Sequence, residues 1–208
     1  MRTILWNVDT QYDFMRDYGR LYVRGAEEIE NKLERFTKLA EKYNIIVVNT
    51  ADWHNEKTAE ISKNPDFVNT FPEHCIENTQ GAEFIEATNP KDAYKIYWDQ
   101  ESFDENEVLK NRNIILYKDK FDVFKGTRHA DGIVKLLAPE RAIVYGVATN
   151  VCVNDAVLGL LERKVKVYVP VDAIKELPNL PLPYDKWINK GAVLITTNEA
   201  YGMLEEIK

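Results

Sequence analysis

Short runs of nearly unbroken apolar, β-branched residues constrain this chain most. IIVVNT (45–50), NIILYK (113–118), RAIVYG (141–146) and VKVYVP (165–170) have the character of strands covered on both faces, and TILWNV (3–8) and AVLITT (192–197) repeat it. Helical segments fall between them. In 26–43, Ile29, Leu33, Phe36 and Leu39 to Ala40 keep a helical period with charges between. Further helices are expected over roughly 127–137, 150–163 and 198–206. This alternation implies an open three-layer α/β/α fold with a mostly parallel, Rossmann-like sheet, spanning 1–208 as one domain. The stretch 52–110 is less periodic. It opens with a long polar loop, has a further candidate strand at 93–99, and precedes a proline-rich surface connection at 177–187.

The bulk properties narrow the function classes. A net charge of −7 argues against a general nucleic-acid grip. No apolar run approaches the ~20 residues of a membrane span. The opening MRTILWNVDTQYDF turns acidic too early for a signal peptide. Two cysteines are too few for a disulfide framework. The expectation is a cytoplasmic protein with reduced thiols and a small-molecule partner, compatible with a homo-oligomer.

In open α/β sheets, ligands bind beyond the carboxyl ends of the strands. Those ends deliver Asp9, then Asp52, Trp53 and His54, then Lys118, then Cys152. Cys152 lies at the mouth of the 150–163 helix, where unpaired N–H groups favour a thiolate. It is either a nucleophile or a small hydrophobe filling a gap. The preceding GVATN supplies small residues and N–H groups that suit an oxyanion hole. Asp9 is a turn former or a site carboxylate, and Lys118 a solvated lysine or a site cation. Together the three make a thiol, a proton acceptor and a cation, a set that can run nucleophilic catalysis. Asp52 and His54, two apart on an extended segment, point to one side, and His74 returns from a distant loop. Such a set suits Zn²⁺, Fe²⁺ or Mn²⁺, the alternative being loop packing. His129 reads as an exposed helix-start residue, and Cys75 as structural.

These motifs, in this order, resemble the nicotinamidase branch of the isochorismatase-like cysteine hydrolases. DTQYDF, GRLYVRGAEEI, DWH, FPEHCIENTQGAEF, KDKFDVFKGT and GVATNVCV carry the resemblance, which covers most of the chain. It implies that Asp9 is the proton acceptor and donor, that Lys118 stabilises the thiolate, and that Cys152 attacks the amide carbon. Lys95 and Lys120 are weaker candidates for the lysine. It further implies an oxyanion hole from the N–H groups of Ala148 and Cys152, and a cis Val147–Ala148 peptide. Asp52, His54 and His74 would hold a divalent metal, Zn²⁺ first, that binds the pyridine nitrogen of nicotinamide. Phe14 and Phe71 would line the aromatic slot. The chain departs from the family pattern at Phe71 (usually Trp), Asn78 (usually Gly) and Asn150 (frequently Asp). Glu60 is the nearest stand-in for a further His after DWH, and 93–112 reads as an insertion.

The implied reaction converts nicotinamide to nicotinate and ammonia through a cysteine thioester, in NAD salvage. Two other readings stand beside it: a related amidase acting on a carbamoyl or ureido amide, and a non-catalytic small-molecule binder on the same fold.

Overall fold

The computed structural model describes residues 2–55 and 57–207. The chain opens with β1 (Thr3–Val8), the short α1 (Tyr12–Met15), a 3₁₀ turn at Ala26–Ile29, α2 (Glu30–Tyr43) and β2 (Val47–Asp52). After a long irregular stretch come β3 (Tyr94–Ile96), α3 (Glu105–Lys110), β4 (Asn113–Lys118), α4 (Val123–Gly126) and α5 (Ala130–Leu137). β5 (Arg141–Val147), α6 (Cys152–Glu162), β6 (Lys166–Pro170), β7 (Ile174–Lys175), α7 (Tyr184–Asn189), β8 (Val193–Ile195) and α8 (Thr197–Glu205) follow. Among the described residues these strands form one sheet in the order β3-β4-β2-β1-β5-β6-β8, with β7 pairing β5. Every pairing is parallel.

The pleat sorts the apolar runs onto two cores. Ile4, Trp6 and Val8 of β1 join residues of α5 and α6 on one face, and Leu5 joins residues of α2 and α8 on the other. The central strands are buried along their whole length, which is why they read as continuous runs and not as alternating patterns.

Two features differ from the sequence reading, the start of β2 and the burial of His129. β2 begins at Val47, because Ile45 still belongs to the helix end: Asn44 takes the left-handed conformation and the Ile45 N–H bonds the Ala40 carbonyl at 2.9 Å. The candidate strand at 93–99 is present as β3, pairing in parallel with β4 at Tyr94↔Ile114. His129 is buried, not exposed: it precedes α5, its Nε2 lies 2.8 Å from the Gln100 carbonyl, and its ring packs edge-on to Phe103.

β1 is central, and its neighbours β2 and β5 lie on opposite sides of it. That makes a crevice at their carboxyl ends, the usual ligand position in such sheets. Gly146 lets the chain pass close to β1 there. It has φ of 119°, and an added Cβ would collide with the Val8 carbonyl.

Candidate active site and adjoining metal-ligating cluster

Each side chain of the crevice is placed by a strand end. Asp9 follows β1 in the left-handed conformation (φ 50°), which Asp tolerates better than most residues. Asp52 ends β2, Lys118 ends β4, and the register sets them side by side. Cys152 is the first residue of α6, after a turn that begins with a cis Val147–Ala148 peptide. All four are buried.

Lys118 is fully buried and paired twice. Its Nζ lies 2.9 Å from Asp9 Oδ2, contacts Asp52 Oδ1 directly, and sits 3.9 Å from Cys152 Sγ. Lys95 and Lys120 are exposed and outside this cluster. Burial works against the Lys118 charge, but Asp52 and Asp9 outweigh it and hold the ammonium well above its ordinary pKa. Asp9 is raised too, but by burial, with Lys118 only partly offsetting. The Thr50 hydroxyl donates to Asp9 Oδ1 at 2.6 Å. Oδ2 makes no aligned hydrogen bond, although Lys118 is its close ion-pair partner. Burial, despite Lys118, also pushes the Cys152 thiol well up, with Asp9 and Asp52 adding to the shift. Burial thus opposes the thiolate that a helix terminus favours. The sulfur lies within 4.8 Å of a carboxylate oxygen of Asp9.

The turn before Cys152 also presents donors. Val151 and Val153 both donate to the Ala148 carbonyl, at 3.0 and 3.1 Å. Among the described residues no acceptor is found for the N–H of Ala148 or of Cys152, which leaves two donors beside the sulfur.

Beside this group, ligand atoms of Asp52, His54, Glu60 and His74 lie within 4.8 Å of one another, all buried. Neither His54 ring nitrogen makes an aligned hydrogen bond, Nε2 standing 3.7 Å from Asp52 Oδ2, and burial lowers the pKa of the imidazole. His74 Nδ1 donates to the Pro72 carbonyl at 2.7 Å, which turns Nε2 towards Asp52 at 3.3 Å. Burial opposes the Asp52 charge, yet Lys118 and the two imidazoles hold that carboxyl well below the usual range. Glu60 is pushed up to about 8 by burial and by Asp52, while its Oε2 accepts from the Phe121 N–H at 2.7 Å. Two carboxylates and two imidazoles, one imidazole without an aligned hydrogen bond, are a donor set that fits a divalent cation.

The slot over Cys152 is lined by aromatic and apolar side chains, Phe14, Phe71 and Phe121 among them. Phe14 and Phe71 stand 5.4 and 6.2 Å from the His74 ring. The crevice thus gathers Asp9, Lys118, Cys152, Asp52, His54, Glu60, His74, Phe14 and Phe71. Cys75 is buried beneath it. Its N–H donates to Asp13 Oδ2 at 2.7 Å, and its thiol is pushed well up by burial, as befits a packing residue. Asn78 has φ of 62°, the conformation in which a glycine is common.

Sequence reading missed Gln11. Its amide donates to the carbonyls of Asp52 and Ala82, both at 2.8 Å, and its carbonyl accepts from the Asp52 N–H at 2.8 Å. An amide three residues past a strand, beside two acidic residues, was the available signal. Asp13 also escaped notice; it accepts from the Cys75 and Arg20 N–H groups and ties the His74 loop to α1.

Comparison with known proteins places this architecture. The isochorismatase domain matches residues 3–180. A nicotinamidase/pyrazinamidase of Mycobacterium tuberculosis is 32% identical over 161 residues, covering 71% of this chain and 82% of that protein. The zinc complex of Pyrococcus horikoshii pyrazinamidase superposes with a TM-score of 0.73 at 24% identity, over 94% of this chain and 99% of the other. The N-carbamoylsarcosine amidase of Thermoplasma acidophilum gives 0.72 at 18% identity, over 95% and 98%. The match over residues 3–180 and the relative at 32% identity show that the chain belongs to the isochorismatase family.

Proposed function

We propose that this chain, an amide-hydrolysing enzyme of the isochorismatase family, is a metal-dependent nicotinamidase that forms nicotinate and ammonia in NAD salvage. The observation that carries the reading is the shared Lys118: one buried cation joins the Asp9–Cys152 pair to the Asp52–His54–Glu60–His74 cluster. A divalent ion held by that cluster, Zn²⁺ being the first candidate, would supply an electrophilic anchor for the pyridine nitrogen. Support comes from the His54 nitrogens, which make no aligned hydrogen bond, and from the likeness to a nicotinamidase/pyrazinamidase above 30% identity.

The chain's own residues account for the proton movements. Cys152 Sγ attacks the carboxamide carbon while its proton passes to the Asp9 carboxylate. Oxyanion charge develops where the Ala148 and Cys152 N–H groups lack partners. Collapse of the tetrahedral adduct breaks the C–N bond, and the proton on Asp9 leaves with ammonia. Asp9 then takes a proton from a water that attacks the thioester, and returns it to the departing Cys152 sulfur. Lys118, paired with Asp9 and Asp52, offsets part of the negative charge of the two carboxylates beside it. The phenyl rings of Phe14 and Phe71 orient a flat ring and exclude water.

The His/carboxylate cluster favours this over the carbamoyl-amide reading. The test is reconstitution of metal-stripped protein with Zn²⁺, Fe²⁺ or Mn²⁺, followed by ammonia assays on nicotinamide and on N-carbamoyl amides. Metal-dependent turnover of nicotinamide supports the reading. Metal-independent turnover of the carbamoyl compounds alone would replace it.

A further inference from the structure

The slot over Cys152 backs onto a second cavity. In this conformation the slot encloses only about 20 Å³, roughly the room of one water. The outer cavity encloses about 480 Å³. The two share Leu21, Phe71 and Leu177 as a common wall, and the outer one adds Phe67, Val68 and Leu180. Phe67 and Val68 are 52% and 66% exposed, so the outer cavity offers grouped apolar surface that the fold leaves uncovered.

That surface is held in place. Asp66 Oδ1 accepts from the N–H groups of Val68, Asn69 and Thr70 at 2.8–2.9 Å, which uses up the nearby carboxylate within its own turn. Phe67 is fixed there with φ of 56°, a conformation a bulky residue adopts only when its surroundings impose it. The opposite rim is tied to the nucleophile turn. Asn150 donates to the Leu177 and Leu180 carbonyls at 2.9 and 3.2 Å, and accepts from the Leu177 N–H at 3.0 Å. An aspartate at this position would keep the last bond and lose both donations. The departure at Asn150 thus fixes two leucines of the outer cavity to the segment that carries Cys152.

We infer that the outer cavity is a specificity subsite for an apolar substituent on the ring of the aromatic amide, with Asn150 as the positioning residue of its rim. The inference rests on the nicotinamidase reading. With the ring nitrogen directed at the cluster and the 3-carboxamide at Cys152, the 5-carbon, meta to both, is the position left to extend outwards. Covering Phe67, Val68, Leu177 and Leu180 with alkyl carbons gains the ordinary free energy of apolar burial.

The experiment is a series of nicotinamide and its 5-methyl, 5-ethyl and 5-propyl derivatives, with kcat and KM measured separately on the metal-replete enzyme. The expected result is a fall in KM along the series, with kcat/KM rising about fourfold per methylene. Phe67→Ala should flatten that rise, and Asn150→Asp should raise KM more for the propyl compound than for nicotinamide. A series that is flat or falls while nicotinamide itself is hydrolysed overturns the inference and leaves the nicotinamidase reading standing. Should nicotinamide not be hydrolysed, that reading fails. Calorimetric binding of the same series to Cys152→Ala protein then decides the subsite alone: tightening with chain length supports it, and uniform affinity overturns it.

Discussion

Lys118 Nζ lies 2.9 Å from Asp9 Oδ2, both groups fully buried, and the same ammonium contacts Asp52. Removing that charge leaves two carboxylates facing each other without a cation. Breaking a buried pair in this way costs about 3–5 kcal/mol. Lys118→Met is therefore expected to lower the urea midpoint markedly and to abolish ammonia release, because Asp9 and Asp52 must then share a proton. A variant with parental stability in denaturant titration would contradict this pairing.

Gln11 clamps the Asp52 backbone from both sides of its peptide. Such supporting contacts typically change metal affinity 10–100-fold when lost, as an order of magnitude. Gln11→Glu keeps the size but places oxygens against the Asp52 and Ala82 carbonyls. Its dissociation constant for Zn²⁺, measured by competition with a chromogenic chelator, should rise by that factor while the fold is retained.

Glu60 brings a pH dependence. Its carboxyl is raised from 4.5 to about 8 by burial and by Asp52, so without a cation it carries a proton at neutral pH. A cation that binds there displaces the proton. Lowering the pH from 8 to 6 should weaken metal binding by up to about tenfold per pH unit from this group alone, since one proton competes with one ion. In Glu60→Gln that contribution should disappear. Calorimetry in buffers of different ionisation enthalpy checks it by counting protons released.

Away from the crevice, Asp155 on α6 is half-buried, and its carboxyl is raised from 3.8 to about 6, by burial and by Asp122. The folded state thus holds this proton more tightly than the unfolded chain does. The resulting stability is present below the unfolded pKa and is lost as pH rises through about 6. Asp155→Asn should exceed the parent by about 1 kcal/mol at pH 8, after allowance for solvent screening, and the gain should vanish towards pH 4. Denaturant midpoints of the two proteins across this range give the answer.

The strand runs were legible because burial on both faces leaves them no polar positions, as with 113–118, which matches β4 residue for residue. The crevice was legible because strand ends in a parallel sheet must converge, so Asp9, Asp52, Lys118 and Cys152 could be brought together before any coordinates. What stayed hidden depends on partners distant in sequence. The role of Gln11 exists only because Asp52 and Ala82 come to it. His129 looked exposed because its partners, Gln100 and Phe103, lie on a segment that read as an insertion. Asn150 showed as a departure from a pattern, but its two carbonyl acceptors lie in a proline-rich loop whose path no periodicity describes.

The most direct measurement is ammonia release from nicotinamide by the metal-replete protein, beside a Cys152→Ala control of equal metal content and stability. Release by the parent that disappears in the control is the expected result. No release from folded, metal-loaded parent protein, or equal release by the control, would contradict a nicotinamidase that works through Cys152.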